Sequence, residues 1–245
     1  METIGNGIFG VGDCFELMAK LGDQSVDMIL CDLPYGATQN KWDSVLPLDR
    51  LWAEYWRVCK GAVVLTAAQP FTSVLVCSAL SNYKYDLVWH KNKASGQLNA
   101  KRQPMRAHES VLVFGKGSYN PQMTEGHRPG NAAHQKTQSD NYGATKGASY
   151  GGQTVRYPRS VLDFAVVNND DPGRIHPTQK PVALFEYLIR TYTNEGDTVL
   201  DNTAGSGTTA IAAENAGRKW ICIERDEEYA AKAMERIRKH VEILI

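Results

Sequence analysis

Apolar runs alternate with amphipathic stretches along most of the chain. Seven runs rich in Val, Ile, Leu and aromatic residues are predicted as strands, at 26–31, 62–66, 85–89, 110–114, 161–164, 197–200 and 220–223. Helical spacing predicts helices between them, near 48–59, 71–80, 182–193, 207–216 and 226–240. Because alternating strands and helices usually form a parallel sheet covered on both faces, we predict an α/β fold with a mostly parallel, seven-stranded sheet.

The middle of the chain breaks this pattern. From about 115 to 157 no period is sustained, and small polar residues and tyrosine dominate. The wider segment 91–160 carries eleven Lys and Arg against three acids, in a chain whose net charge is zero. This surplus favours binding of a polyanion with stackable bases, and a solvated loop without a partner is the alternative. We interpret 1–245 as a single domain with an insertion at about 91–160.

Composition limits the class of protein. No apolar run approaches the roughly 18 residues of a membrane span, and the first ten residues lack the basic-then-apolar order of a signal peptide. The five cysteines are odd in number and contain no C-x-x-C pair, which favours reduced thiols over disulfides or zinc ligands. We therefore expect a soluble, cytoplasmic protein that binds neither a membrane nor a metal.

A glycine-rich turn marks one candidate site. A predicted strand ends in Asp201, Gly205 and Gly207 fit G-x-G-x-x-A, and a helix begins near Thr208. Glu224 ends the next strand and is placed to bind ribose hydroxyls. This fingerprint leaves a dinucleotide-dependent oxidoreductase open. However, Asp201 would repel a pyrophosphate, whereas it would attract the sulfonium and ammonium groups of S-adenosylmethionine.

A second candidate site follows the first predicted strand. The run 26-VDMILC-31 leads directly into Asp32, Leu33, Pro34 and Tyr35. A buried strand therefore delivers a carboxylate, a stiff turn and an aromatic ring to one point. Pro34 keeps Leu33 extended, because the helical region is disfavoured for a residue that precedes proline.

Three motifs together resemble the β-class DNA amino-methyltransferases, in which the catalytic motif comes first and the glycine loop last. The family's D-P-P-Y is matched by 32-DLPY-35, and its D-x-F-x-G-S-G-T-T by 201-DNTAGSGTT-209. Between them, 176-HPTQKP-181 is nearly a signature of the class. The resemblance spans roughly 11–115 and 157–240. It implies a Rossmann-like fold that uses S-adenosylmethionine, with the irregular middle as the target-recognition region.

The resemblance also implies roles for single residues. Asp32, Leu33, Pro34 and Tyr35 are expected to be catalytic, and Lys180 is expected to pair with the carboxylate of the cofactor. The expected cofactor-binding residues are Asp13, Cys14, His176, Pro177, Thr178, Gln179, Lys180, Asp201, Thr203, Gly205, Gly207, Thr208 and Glu224.

Three of these positions either have another interpretation or depart from the pattern of the family. From the residues alone, Asp13 is equally suited to cap a helix that begins at residue 14. Leu33 replaces the family's first Pro but still offers its backbone carbonyl. Thr203 replaces an aromatic residue of the family's glycine loop, which predicts looser packing against the adenosine.

The expected chemistry is methyl transfer to the amino group of a base. The exocyclic amine of adenine is a poor nucleophile because its lone pair is delocalised into the ring. If Asp32 and the carbonyl of Leu33 both accept hydrogen bonds from that amine, the lone pair localises and can attack the sulfonium methyl. Tyr35 would stack on the base after it leaves the duplex.

The identity of the base rests on the resemblance. In this class an Asp at position 32 goes mainly with adenine, and relatives that act on cytosine N4 mostly carry Ser there. We therefore expect N6-methyladenine as the product. Cytosine N4, RNA or a glutamine amide as the acceptor, an oxidoreductase, and a DNA-binding relative without activity are the alternatives.

The basic segment supplies the expected contacts to DNA. The cations concerned are Lys91, Lys93, Lys101, Arg102, Arg106, Arg156 and Arg159. DNA is the main expected partner. A second copy of the chain is a further expected partner, since relatives of this class often dimerise, and a restriction endonuclease is another.

Overall fold

Thirteen strands and six α-helices form within the residues that the structure describes. This computed structural model describes residues 1–36, 44–129, 133–134, 138–141, 143–144, 148–149 and 151–244. The strands are β1 (Glu2–Ile4), β2 (Gly7–Val11), β3 (Val26–Asp32), β4 (Cys59–Ala67), β5 (Tyr83–Ser95), β6 (Arg106–Gly115), β7 (Ala133–His134), β8 (Gln138–Ser139), β9 (Gly143–Ala144), β10 (Ala148–Ser149), β11 (Val161–Asp163), β12 (Thr198–Asp201) and β13 (Lys219–Glu224). The helices are α1 (Cys14–Met18), α2 (Leu48–Val58), α3 (Phe71–Ser78), α4 (Val182–Tyr192), α5 (Thr208–Asn215) and α6 (Glu227–Leu244).

Nine of these strands form one sheet, in the order β1-β2-β13-β12-β3-β4-β6-β5-β11. β1 is antiparallel to β2, and β6 is antiparallel to both of its neighbours, whereas the other neighbouring pairs are parallel. The carboxyl ends of β3, β12 and β13 therefore meet at one edge, where open α/β sheets bind their ligands. Asp32, Asp201 and Glu224 are the last residues of these three strands.

The predicted α/β fold is confirmed, and each of the seven predicted strands is present. The sheet nevertheless has nine strands, because β1 and β2 are added at its amino-terminal edge. Glycines within and between these strands weaken the apolar pattern. At Gly7, a Cβ atom would lie 2.1 Å from Cδ2 of the buried Trp220, so the close approach of β2 to this ring requires glycine.

Alternation along β3 sends side chains into two separate cores. Met28 and Leu30 pack on one face with α4, α5 and α6, and Ile29 and Cys31 pack on the other with α1, α2 and α3. All four side chains are fully buried, which explains why this strand is apolar without a polar face. No helix among the described residues has both the length and the apolar composition that crossing a membrane requires.

Residues Pro121–Arg159 form a second compact unit, and the first comprises Met1–Asn120 with Ser160–Ile245. The second unit contains the short pairs β7–β10 and β8–β9 and an isolated bridge between Thr124 and Arg156. Residues 91–115 fall in the first unit, because β5 and β6 pair as a long hairpin of the sheet. The second unit is therefore shorter than the predicted insertion at 91–160.

Candidate active site

A cavity of about 980 Å³ lies at the edge of the sheet where β3, β12 and β13 end. This volume suits a small cofactor together with a base, since ligand pockets usually measure about 300–1,000 Å³. Every residue that the sequence predicts as catalytic or cofactor-binding lines the cavity, except Gly207. The fold thus gathers motifs that lie far apart along the chain.

Among the residues that the structure describes, three hydrogen-bond donors hold the carboxylate of Asp32. Its Oδ1 accepts from the hydroxyl of Thr66 at 2.5 Å and from the phenol of Tyr35 at 2.6 Å. Its Oδ2 accepts from Nζ of Lys180 at 2.5 Å. Thr66 is the register partner of Asp32 between β4 and β3, although the sequence gives this threonine no role. Because an ionised carboxylate offers about four lone-pair positions, one remains for a ligand in the cavity.

Tyr35 is a protonated donor with a fixed ring. Burial, reinforced by the charge of Asp32, raises the pKa of its phenol well above the ordinary value, so the hydroxyl keeps its proton. The ring packs against Phe71 with the centroids 5.4 Å apart. The hydroxyl is therefore committed to Asp32, while the ring forms part of the cavity wall.

Lys180 is buried between two acids. Its Nζ lies 2.5 Å from Oδ2 of Asp32 and 3.5 Å from Oε2 of Glu109. Burial by itself lowers the pKa of Lys180, but the two carboxylates more than offset this and raise the pKa above its ordinary value. The sequence-based prediction paired Lys180 with the carboxylate of the cofactor. Its partner in the structure is instead Asp32, because β3 ends beside the segment that precedes α4.

Lys91 belongs to the same buried cluster. Its Nζ lies 3.2 Å from Oε1 of Glu109, and the residue is only 7% exposed. The prediction that Lys91 contacts DNA is therefore wrong, since a buried, paired ammonium has no access to a phosphate. Sequence reasoning missed Glu109. The pairing of β5 with β6 places Glu109 opposite Trp89, close to Lys91, so a predicted hairpin could have indicated this contact.

The glycine loop between β12 and α5 is fixed by its backbone. Gly205 and Gly207 have φ values of +49° and +71°, which favour glycine. A Cβ atom at Gly207 would also lie 2.8 Å from Cδ1 of Ile237 in α6, so its role is close packing. The hydroxyl of Thr208 donates to the carbonyl of Lys180 at 3.2 Å, which joins the loop to the 176–181 segment.

Asp201 supports the backbone of the glycine loop. Its Oδ1 accepts from the N–H of Thr203 at 3.0 Å, and its Oδ2 accepts from the hydroxyl of Thr209 at 2.5 Å. Burial raises the pKa of Asp201 to about 7, because these hydrogen bonds only partly offset the loss of water. Part of this carboxyl is therefore protonated near neutral pH, whereas a carboxyl of ordinary pKa is ionised there. The predicted attraction of a cationic cofactor by Asp201 is correspondingly weaker.

Thr203 connects the two candidate sites. Its hydroxyl donates to the backbone carbonyl of Asp32 at 3.2 Å. A phenyl ring at this position, as the related loop usually has, lacks a donor for this bond. Thr203 thus links the glycine loop to the end of the catalytic strand.

The 176–179 segment is held by contacts within its own loop and by Tyr229 of α6. Burial lowers the pKa of His176 to about 4, so its imidazole is neutral at neutral pH. The ring packs edge-on against Tyr229 with the centroids 4.4 Å apart, and its Nδ1 accepts from the N–H of Thr178 at 3.3 Å. The amide of Gln179 bonds to the backbone N–H of Ile175 and the carbonyl of Gly173. These side chains shape the cavity wall.

Pro177 and Asp13 also border the cavity. The carbonyl of Pro177 accepts from Arg174. Oδ1 of Asp13 accepts from the N–H groups of Phe15 at 2.9 Å and Glu16 at 3.2 Å, so Asp13 caps α1. The capping role that the residues alone allowed is therefore confirmed.

Comparison with known proteins decides the family. An N6/N4 methyltransferase family model, described as DNA methylase, matches residues 26–235. The chain belongs to the N6/N4 DNA methylase family. The cofactor of the methylase is S-adenosylmethionine, and its substrate is DNA.

Individual relatives agree with this assignment. The DNA adenine methyltransferase YhdJ of Escherichia coli (strain K12) is 33% identical to the methylase over 247 residues, covering 92% of this chain and 81% of that protein. The solved M1.HpyAVI–SAM complex has a TM-score of 0.63 at 24% identity, covering 94% of this chain and 99% of that one. The cytosine-N4-specific PvuII DNA methyltransferase has a TM-score of 0.67 at 17% identity, covering 98% and 93% of the two chains. At these identities, the two structures show a shared fold.

Glu224 of the methylase fits the ribose of the cofactor. Its Oε2 accepts from the N–H of Gly205 at 2.7 Å, and its Oε1 accepts from the N–H of Asp226 at 2.9 Å. These two bonds fix the carboxylate at the end of β13, where it lines the cavity. About two of its four lone-pair positions remain for a pair of hydroxyl groups.

Asn202 fits a ring nitrogen, although sequence reasoning missed it. Its Oδ1 accepts from the phenol of Tyr55 at 2.5 Å and the thiol of Cys31 at 2.9 Å. Its buried Nδ2 has no hydrogen-bond partner among the described residues, and Asn202 lines the cavity beside Cys14. Because an unpaired buried amide donor is unfavourable, an acceptor such as a purine nitrogen would satisfy it.

The other cations that were predicted to contact DNA lie on the β5–β6 hairpin and in the second unit. Lys93, Lys101, Arg102 and Arg106 are exposed on the β5–β6 hairpin, which also supplies residues 93–95 to the cavity wall. The side chains of Arg156 and Arg159 belong to the second unit. Arg156 is occupied there, since its guanidinium donates to three backbone carbonyls, those of Arg128, Gln153 and Val155.

Asp201→Asn should remove part of the pH dependence of stability. The pKa of Asp201 rises from 3.8 to about 7 on folding, so between these values the folded chain keeps a proton that the unfolded chain loses. Its contribution therefore lowers the free energy of unfolding as pH rises, by roughly 1–3 kcal/mol between pH 5 and pH 8. Urea unfolding of both proteins at these two pH values measures the difference, and equal pH effects in the two proteins would contradict it.

Proposed function

We propose that the methylase transfers a methyl group to N6 of an adenine that leaves the DNA duplex and enters the cavity. The observation that carries this proposal is the carboxylate of Asp32, fixed by three donors at the cavity wall. The side chain remains 21% exposed, which leaves access for one further partner. That partner would be the amine of the base.

Asp32 and the backbone carbonyl of Leu33 act as the two acceptors of the amine. Each accepts one N–H, so the nitrogen moves towards a tetrahedral geometry and its lone pair is released from the ring. Because Thr66, Tyr35 and Lys180 already hold the carboxylate, little reorganisation is needed when the amine arrives. Preorganised groups of this kind typically contribute about 10²–10³ in rate.

Positive charge develops on the amine as its nitrogen attacks, and one proton must then leave. Asp32 is the acceptor for that proton, because Tyr35 and Lys180 both have raised pKa values and are already protonated. From the partly exposed Asp32, the proton passes to water. The same carboxylate therefore orients the amine, stabilises its charge and removes its proton.

The remaining cavity residues bind and orient the cofactor. S-adenosylmethionine supplies the electrophilic methyl group when bound. Glu224 accepts hydrogen bonds from its ribose hydroxyls, and Asn202 donates to its adenine ring beside Asp13 and Cys14. The neutral ring of His176 and the glycine loop line the same cavity, and we assign the methionine chain of the cofactor to them.

Two observations favour adenine over cytosine as the base. Position 32 is Asp, which in the class that the motifs resemble goes mainly with adenine, whereas relatives that act on cytosine N4 mostly carry Ser there. YhdJ, at 33% identity, is named as an adenine methyltransferase. Cytosine N4 is the alternative, because its exocyclic amine presents the same geometry and the cytosine-N4-specific PvuII enzyme shares the fold.

The product tests the base assignment. Purified methylase incubated with unmethylated DNA and S-adenosylmethionine should yield N6-methyladenine on digestion to nucleosides and mass spectrometry. N4-methylcytosine alone would refute adenine while leaving the role of Asp32 intact. No methylated nucleoside on duplex or single-stranded DNA would refute the proposed function.

The exposed cations of the β5–β6 hairpin are proposed to bind DNA phosphates. No acid occurs between Lys91 and Glu109 in the sequence, so this end of the hairpin is uniformly basic. It also borders the cavity through residues 93–95, where an extruded base would enter. A homodimer and a restriction endonuclease partner stay predictions.

Replacing Lys101, Arg102 and Arg106 with Gln should weaken DNA binding and flatten its salt dependence. Each lost phosphate contact should lower the slope of log affinity against log salt by about 0.9 on duplex DNA. The matched control replaces the exposed Lys84, Lys116 and Lys219, which lie at the opposite edge of the sheet. Titrations at several salt concentrations measure both slopes, and equal slopes for the two triple variants would contradict this interface.

A further inference from the structure

Behind the proposed acceptor lies a buried row of alternating charges. Asp32 contacts Lys180 at 2.5 Å, Lys180 contacts Glu109 at 3.5 Å, and Glu109 contacts Lys91 at 3.2 Å. The side-chain exposures of Lys180 and Lys91 are only 8% and 6%. The four formal charges cancel, and loss of one partner would leave an uncompensated charge in a largely buried place.

This row is poorly explained by stability. Buried ion pairs often contribute little to folding, because desolvation of both ions opposes their attraction. One atom in the row is also incompletely satisfied, since Oε2 of Glu109 accepts no hydrogen bond among the described residues and its nearest cation is Lys180 at 3.5 Å. A feature that is unfavourable to bury and is attached to the reactive carboxylate points to a role in the reaction.

Lys180 acts in this row as a charged hydrogen-bond donor. Its raised pKa keeps it protonated, so it is neither a base nor a nucleophile. It donates its shortest hydrogen bond to Oδ2 of Asp32, whereas Thr66 and Tyr35 both donate to Oδ1. Lys180 is therefore the only donor among the described contacts that orients Oδ2, the oxygen with more remaining acceptor capacity.

We propose that Lys180 is a positioning residue for Asp32, and that Glu109, held by Lys91, keeps Lys180 in place. This inference rests on the proposed methyl transfer and deepens it. It assigns the buried row to the methyl acceptor side of the site, and it removes Lys180 from the set of residues that bind the carboxylate of the cofactor. Glu109 and Lys91 act on the amine only through Lys180.

The test separates the methyl acceptor side from cofactor binding. Lys180→Met should lower the single-turnover methylation rate, at saturating cofactor, by about 10–100-fold. Its affinity for S-adenosylmethionine, measured by calorimetry, should change less than about threefold, because no cofactor contact is lost. Glu109→Gln keeps the size of the side chain and should lower the rate in the same direction by a smaller factor. Lys232→Met, which breaks an exposed pair with Glu228, is the matched control and should change neither value.

A double-mutant cycle tests whether Lys180 acts through Asp32. In an Asp32→Asn background, Lys180→Met should change the remaining rate less than about threefold, because the group that it positions is already altered. Multiplicative losses would show that Lys180 acts independently and would overturn the proposal. So would a tenfold loss of cofactor affinity with an unchanged saturated rate, which would return Lys180 to the cofactor.

Two further arms keep the test decisive. If Lys180→Met does not fold, as judged by circular dichroism, Glu109→Gln and the charge-conserving Lys180→Arg replace it, and parent rates in Glu109→Gln would then overturn the proposal. Failure of the proposed function is distinguishable, because in that case the parent methylase itself yields no methylated nucleoside.

Discussion

The hydrogen bonds that converge on Asp32 are the constraint on which the site depends. They join the end of β3, the neighbouring strand β4, the turn that contains Tyr35 and the segment that precedes α4. An ionised carboxylate in such a place requires donors, and each donor here is itself fixed by burial or strand register. The result is a carboxylate at the cavity wall that is oriented before any substrate arrives.

The proposed cofactor side of the site contains two further carboxylates, those of Asp201 and Glu224. Asp201 accepts from the N–H of Thr203 and the hydroxyl of Thr209, whereas Glu224 accepts from the N–H groups of Gly205 and Asp226. Thr203 links the two sides through the carbonyl of Asp32. A shift of the glycine loop would therefore reach the end of β3, which suits an enzyme that must align a methyl donor with an amine.

Local pattern and motif chemistry predict much of this molecule. Apolar runs locate the seven strands, and the three motifs locate the cavity, because parallel strands place their carboxyl ends at one edge. Local periodicity does not predict the glycine-rich strands β1 and β2. Glycine is required at position 7 by the close approach of Trp220, which is distant in the sequence. The predicted insertion at about 91–160 is longer than the compact second unit, because β5 and β6 extend into this range as long strands that are polar where they leave the core.

Partnership between distant side chains is the part that sequence reasoning missed. Lys180 is 148 positions from Asp32, and nothing near either residue indicates that they pair. Lys91 reads as one more surface cation until its pairing with Glu109 across the hairpin is seen. Asn202 occupies a variable position of the motif, although its buried Nδ2 lacks a hydrogen-bond acceptor among the described residues. Such roles follow from the three-dimensional fold and not from spacing.

The most direct test is the position of the target amine in a crystal structure of the methylase with S-adenosylhomocysteine and duplex DNA that contains its target. We expect the adenine outside the base stack, with N6 about 2.7–3.2 Å from both a carboxylate oxygen of Asp32 and the carbonyl oxygen of Leu33. An extruded adenine whose N6 contacts neither group would contradict the account.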